Sequence, residues 1–188
     1  MSEACIVQMM IWEFEQVYRT LTQILNEISK EEAQWQPSSH AKTLNTIKQW
    51  NMRGTAIGQW NTKGNEWRSA QNLDPISTIE YLVVHLAECK LMYDEYAFRK
   101  GNLTWSELQS PAWPTCKDYL RTAHSRLVES LQNLNDNQLE ELVPTTWGEL
   151  RPVKRIVSGL IHHDAYHLGQ IRMLRNLYKM YKPNDARK

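Results

Sequence analysis

Residues 153–178 read VKRIVSGLIHHDAYHLGQIRMLRNLY. Apolar side chains return every three or four positions, at Val153, Ile156, Leu160, Ile171, Leu174 and Tyr178, the spacing of one face of an α-helix. Pro152, just ahead, suits a helix start, because the N–H it lacks would have no helical partner there. His163 and His167 fall on the same stripe, with Gln170 beside Ile171. Residues four apart on a helix stand about 5–6 Å apart at Cβ, so two imidazoles so placed can share one ion. An apolar face broken only by such groups reads as a core-facing helix that carries a site.

Three more segments complete a helical core. Val7, Met10, Phe14, Val17, Leu21, Ile24 and Ile28 mark a first helix, expected to end near Ser29–Glu32, before Trp35-Gln36-Pro37. A second follows Asp74-Pro75, with Ser77 as N-cap and Glu80 at the capping-box position. Its inward stripe runs Thr78, Leu82, His85, Cys89, Met92, Tyr96; a second apolar stripe, Ile79, Leu82, Val83, Leu86, makes its buried face broad, and Gly101 ends it. A third begins near Thr115 and buries Leu120, His124, Leu127, Leu131 and Leu134. The spacing predicts no convincing strand. The loops hold Pro111 and Pro114, then Pro144, Trp147 and Gly148. Residues 41–70 combine Leu44, Ile47 and Trp50 with Gly54, Trp60, Gly58, Gly64 and Trp67, and read as a partly helical flap over one end of the core in preference to a functional lid. The expected fold is all-α, an up-and-down four-helix bundle with long, partly helical connections. These exceed the usual 2–8 residues, which leaves crossover topologies open.

A chain of 188 residues suits one domain spanning 1–188 with its own core, its last residues, about 182–188, forming a polar tail. Lys and Arg number 22 against 21 Asp and Glu, a balance that gives no reason to expect nucleic acid or a membrane surface as partner. No apolar run approaches the roughly 20 residues that span a bilayer, and the N-terminus lacks the pattern of a signal peptide. Cys5, Cys89 and Cys116 form no CxxC pair, so a reducing, cytoplasmic setting is expected. Eight Trp against two Phe point to half-buried indoles at helix ends or on a binding surface.

His85 on the second helix joins His163 and His167 as an inward imidazole. A buried histidine needs partners for both ring nitrogens, and one divalent metal serves three of them at once. Three neutral ligands leave the ion its +2 charge and an open coordination position, the pattern of a catalytic site. Asp164 stands where the zinc-protease motif HExxH needs Glu, which argues against a protease. His124 reads as a core histidine bonded to a backbone carbonyl, with a fourth-ligand role as the alternative. Cys89 reads as a small buried hydrophobe, His162 as peripheral, and His40 as a loop residue. Asp164 is either an outer hydrogen-bond partner of an imidazole or a solvated charge.

The segment from Gly159 to Ile171, GLIHHDAYHLGQI, resembles the last-helix HxxxHxGQI signature of the DinB/YfiT-like superfamily, and the segment from Ser77 to Glu88, STIEYLVVHLAE, resembles the helix that carries that family's first metal histidine. The likeness extends from the first helix to Leu174. It implies a four-helix bundle whose three-His site, here His85, His163 and His167, holds a divalent metal such as nickel or zinc. Members include thiol-dependent S-transferases and a maleylpyruvate isomerase. Residues 41–70 match nothing in that pattern.

The function expected is therefore a metal-dependent enzyme acting on a small-molecule substrate. A low-molecular-weight thiol bound as thiolate would attack an electrophile, with Arg151, Arg155 and Arg172 candidates to hold its carboxylates. No separate catalytic acid or base is identifiable. The alternatives are a metal-dependent hydrolase and a non-catalytic metal-binding helical module, for instance a homodimer, whose Trp residues serve an interface.

Overall fold

A computed structural model describes residues 5–39, 41–45, 47–48, 77–146 and 148–181. Trp50, Trp60, Trp67, the three glycines at 54, 58 and 64, the Asp74-Pro75 start, His40, Trp147 and the 182–188 tail lie outside the described residues, so the flap reading falls outside them too. The described chain is mostly helical: α1 spans Ile6–Asn26, α2 Lys30–Gln34, α3 Ile79–Phe98, α4 Thr115–Gln132 and α5 Val153–Tyr181. Among these residues no helix is long and apolar enough to cross a membrane.

Several local readings shift. Helix α1 ends at Asn26, and Ser29, expected inside its last turn, caps the short α2 by accepting from Glu32 N–H at 3.1 Å. Its buried line is Val7, Ile11, Phe14, Leu21 and Leu25, rotated slightly from the expected one, with Met10 and Ile24 at its edge; Ile28, just past the helix end, is also buried. Thr78, not Ser77, caps α3, accepting from Tyr81 N–H, because Ser77 is held in a parallel bridge to Lys42. Glu80 is thereby released from capping. It is buried and accepts from Gln34 Nε2 and Trp113 N–H. The loop before α5 contains a hairpin that the sequence did not suggest: β1, Leu142–Pro144, pairs antiparallel with β2, Leu150–Pro152, with Val143 opposite Arg151. Three-residue strands are too short for their alternation to stand out.

Helix α3 is buried on nearly every side, including Glu80, Glu88, Lys90 and Asp94. Each of these charges has a partner. Glu88 accepts from Ser110 Oγ, Lys90 pairs with Asp164 of α5, and Asp94 gathers Arg99 and Arg126 at 2.6 Å each and Ser130 Oγ at 2.5 Å. These pairings fix direction. Glu80 meets Trp113 just before α4, while Asp94 meets Arg126 and Ser130 near its end, so α3 and α4 run parallel. Helix α5 runs antiparallel to α3, since Lys90 meets Asp164 while His85, nearer the start of α3, meets His163 and His167. Helix α1 runs parallel to α5, with Val7 near Val157 and Glu27 paired with Arg175.

The order of directions is thus up, down, down, up. The up-and-down order expected from sequence is not adopted, because the long connection from Arg99 to Pro114 carries the chain back along the molecule before α4 begins. Each long helix packs mainly on two others, in the ring α1–α4–α3–α5.

Asp94 is fully buried between two half-exposed arginines. Asp94→Ala should lower the unfolding free energy by about 2–4 kcal/mol. Arg121→Ala, which breaks the exposed pair with Asp118, should cost under about 0.5 kcal/mol. Urea melts at neutral pH check the contrast; equal effects would mean that Asp94 does not lock α3 to α4.

Candidate metal centre

The inward line of α5 runs Val153, Ile156, Val157, Leu160, Asp164, His167, Ile171, Leu174. Its steps of three and four pass through Asp164, so His163 lies at the edge of the buried face with 29% of its side chain exposed. His167 is on the line itself, at 9%. Across from them α3 presents His85. The solvated reading of Asp164 is overturned: the residue is fully buried.

The three imidazoles meet through one kind of atom. His163 Nε2 lies 3.1 Å from His85 Nε2 and 3.1 Å from His167 Nε2. Among the described residues, His85, His163 and His167 form the group of donor atoms, all within 4.8 Å of one another, suited to one ion. Their chemistry fits a cation. His167 Nδ1–H donates to Gln170 Oε1 at 2.6 Å, and Gln170 Nε2 in turn donates to Tyr166 Oη. That leaves a lone pair on His167 Nε2. One hydrogen on His163 Nε2 cannot serve both 3.1 Å contacts with good geometry, whereas a cation among three lone pairs satisfies all of them. Two nitrogens about 2.0–2.1 Å from one ion lie roughly 2.8–3.4 Å apart for angles between square and tetrahedral, in keeping with the spacing found.

The surroundings keep His85 and His167 neutral. Burial, reinforced by the neighbouring His167 and His163, lowers the pKa of His85 to about 3. Burial, with His163 next in importance, lowers that of His167 to about 4. Neutral imidazole is the ligating form. Cys89 Sγ lies 3.7 Å from His85 Nε2, and burial pushes its thiol up to about 12.

The remaining candidates fall elsewhere. His124 is buried in the core, stacked on Tyr18 at 3.6 Å between ring centroids, and its Nε2 meets Glu15 Oε1 at 3.3 Å. A carboxylate thus takes the place of the expected backbone carbonyl, and His124 is not part of the imidazole group. His162 is exposed, as is Arg172. Arg151 and Arg155 line a groove of about 300 Å³ with Tyr93, Ile156 and Gly159. Gln170, which the stripe included, and Tyr166, which it did not, are outer supports whose role was not read from sequence; the signal was Gln170, a polar residue three positions after a ligand-type histidine, within hydrogen-bond reach on a helix.

Burial drives the His124 pKa down to about 3. The unfolded chain, with a reference value near 6.5, therefore takes up a proton that the folded chain refuses. Stability is full at neutral pH and falls as pH drops through about 6.5 toward 3. Between pH 7 and pH 5 this one group should cost about 1–2 kcal/mol, and His124→Gln should lose that much less than wild type in urea melts at the two pH values. Identical slopes would remove His124 from the acid response.

The sequence profile of the DinB superfamily matches residues 13–171. No curated protein matches the chain. Among solved structures, a conserved protein from Enterococcus faecalis is 15% identical, with 93% of this chain and 98% of that chain covered and a TM-score of 0.49.

Proposed function

The chain belongs to the DinB superfamily, and from that membership together with its clustered imidazoles we propose that it is a metal-dependent enzyme, a thiol-dependent S-transferase whose nickel or zinc ion is held by His85, His163 and His167. We read its ring of four long helices as that superfamily's four-helix bundle. The observation that carries the functional reading is the meeting of three Nε2 atoms with two contacts of 3.1 Å. A +2 ion on three neutral ligands favours the thiolate of a small thiol, the form that attacks an electrophilic carbon.

The protein's own part is to hold and admit. The Tyr166–Gln170–His167 chain fixes the His167 tautomer. His163 sits at the exposed edge of the cluster, which leaves a side from which a small molecule can approach. The Tyr93–Gly159 groove lies one helical turn away: Gly159 precedes His163 by four residues, about 6 Å along the helix, and Tyr93 follows Cys89 by the same interval. A Cβ at Gly159 would meet nothing within 4 Å. Arg155, exposed and without an ion pair among the described residues, stands at the far end as an anchor for an anionic group.

Purified protein should carry about one divalent ion per chain by elemental analysis. His163→Ala and His167→Ala should lose it while remaining folded by circular dichroism. Equal metal content in wild type and His163→Ala would sink the assignment. With metal bound, a screen of small thiols against electrophiles at neutral pH should find turnover that His85→Ala abolishes.

The groove gives a separate check. Gly159→Leu adds a side chain into open space and improves helix propensity by up to about 1 kcal/mol. It should keep metal and fold while lowering kcat/KM at least about tenfold. Unchanged kinetics would place substrate entry elsewhere.

A further inference from the structure

Lys90 and Asp164 are both fully buried and in direct contact. Burying two charges costs several kcal/mol per ion even after relaxation, and a well-packed apolar pair is often as stable or more so. Stability alone therefore does not account for this pair. Only one carboxylate oxygen of Asp164, Oδ2, meets Lys90. The other, Oδ1, is buried without a hydrogen-bond partner, and so is Nδ1 of His163. These two atoms lie 3.8 Å apart, so a shift of about 1 Å would bring them to hydrogen-bond distance.

We infer that Asp164, aimed by Lys90, is the positioning residue for His163. Its Oδ1 accepts the Nδ1–H of the imidazole and so holds the Nε2 lone pair toward His85 and His167. Lys90 acts by fixing Oδ2 from the α3 side, which leaves Oδ1 directed at the adjacent ring. The arrangement parallels the one on the next turn, where Gln170 Oε1 faces His167 Nδ1. The two neighbouring imidazoles of α5 are thus set in the same tautomer by two different acceptors. An outer acceptor of this kind orients a ligand ring and raises its basicity.

The purpose of this device rests on the metal-centre reading, but the tautomer it imposes does not, and the test keeps them apart. In metal-free, ¹⁵N-histidine-labelled protein at neutral pH, NMR of the imidazole nitrogens should find the His163 hydrogen on Nδ1. Single substitutions would leave a lone buried charge, so both partners are replaced. In Lys90→Met/Asp164→Leu, packed and folded by circular dichroism, the hydrogen should move to Nε2, and zinc affinity, measured against a chromophoric chelator, should fall about 10–100-fold. Lys90→Met/Asp164→Asn keeps an acceptor oxygen without the lysine that aims it, and should hold the Nδ1–H tautomer with a zinc affinity between those of wild type and the Leu double variant. A wild-type hydrogen on Nε2, or wild-type tautomer and zinc affinity in the Leu double variant, would overturn the inference. Should wild type bind no zinc while the tautomer follows this pattern, the metal reading falls and the positioning role stands.

Discussion

The contact between Lys90 and Asp164 sets the register of α3 against α5. Neither group reaches water, so a slip of one helical turn would leave two uncompensated buried charges, at about 3–5 kcal/mol for breaking such a pair. Few apolar contacts are so selective, because one leucine fills the place of another at modest cost. The same register brings His85 opposite His163 and His167. The imidazole cluster is therefore a consequence of an ion pair one residue away from it, and the centre inherits the precision of that pair.

The same logic extends around α3. A helix buried on nearly every side has little solvent face on which to place charge, yet this one carries Glu80, Glu88, Lys90 and Asp94 at buried positions. Each meets a partner on a different neighbour: Trp113 N–H and α2 for Glu80, the Ser110 hydroxyl for Glu88, α5 for Lys90 and α4 for Asp94. An apolar helix of this kind could rotate about its axis with little penalty. Four buried charges, each matched to a partner on a neighbouring segment, remove that freedom. They also explain how two parallel helices, α3 and α4, stay in register although the connection between them is long and passes Pro111 and Pro114.

What could be read from residues alone follows from what periodicity encodes. The four long helices were legible because each has an apolar line at steps of three and four, and His85, His163 and His167 could be grouped because they interrupt such lines. Direction was not legible: α3 and α4 would carry the same stripes whether parallel or antiparallel, and the choice lies in the polar pairs of Asp94 with Arg126 and Ser130. For Asp164 the choice between an outer partner of an imidazole and a solvated charge stayed open for a related reason. On α5 the lines through His163 and through Asp164 differ by 100°, and that choice is settled only once the counter-charge on another helix is known. The hairpin between Leu142 and Pro152 was hidden by its short strands.

Gly159, in the second turn of α5, carries the argument from fold to access. An interior helical glycine costs about 1 kcal/mol relative to alanine, and Gly159 is not demanded by packing, since a Cβ there would touch nothing within 4 Å. Nor does its backbone need glycine, for the residue is helical. What the missing side chain leaves is open volume between Tyr93 and Ile156, one turn from His163. A helix that only supported the core would gain stability from alanine here. The imidazole cluster is thus closed on the core side by the buried line of α5 and left accessible along the edge where His163 and Gly159 lie, which is the geometry that an ion with a vacant ligand position would require of the protein around it.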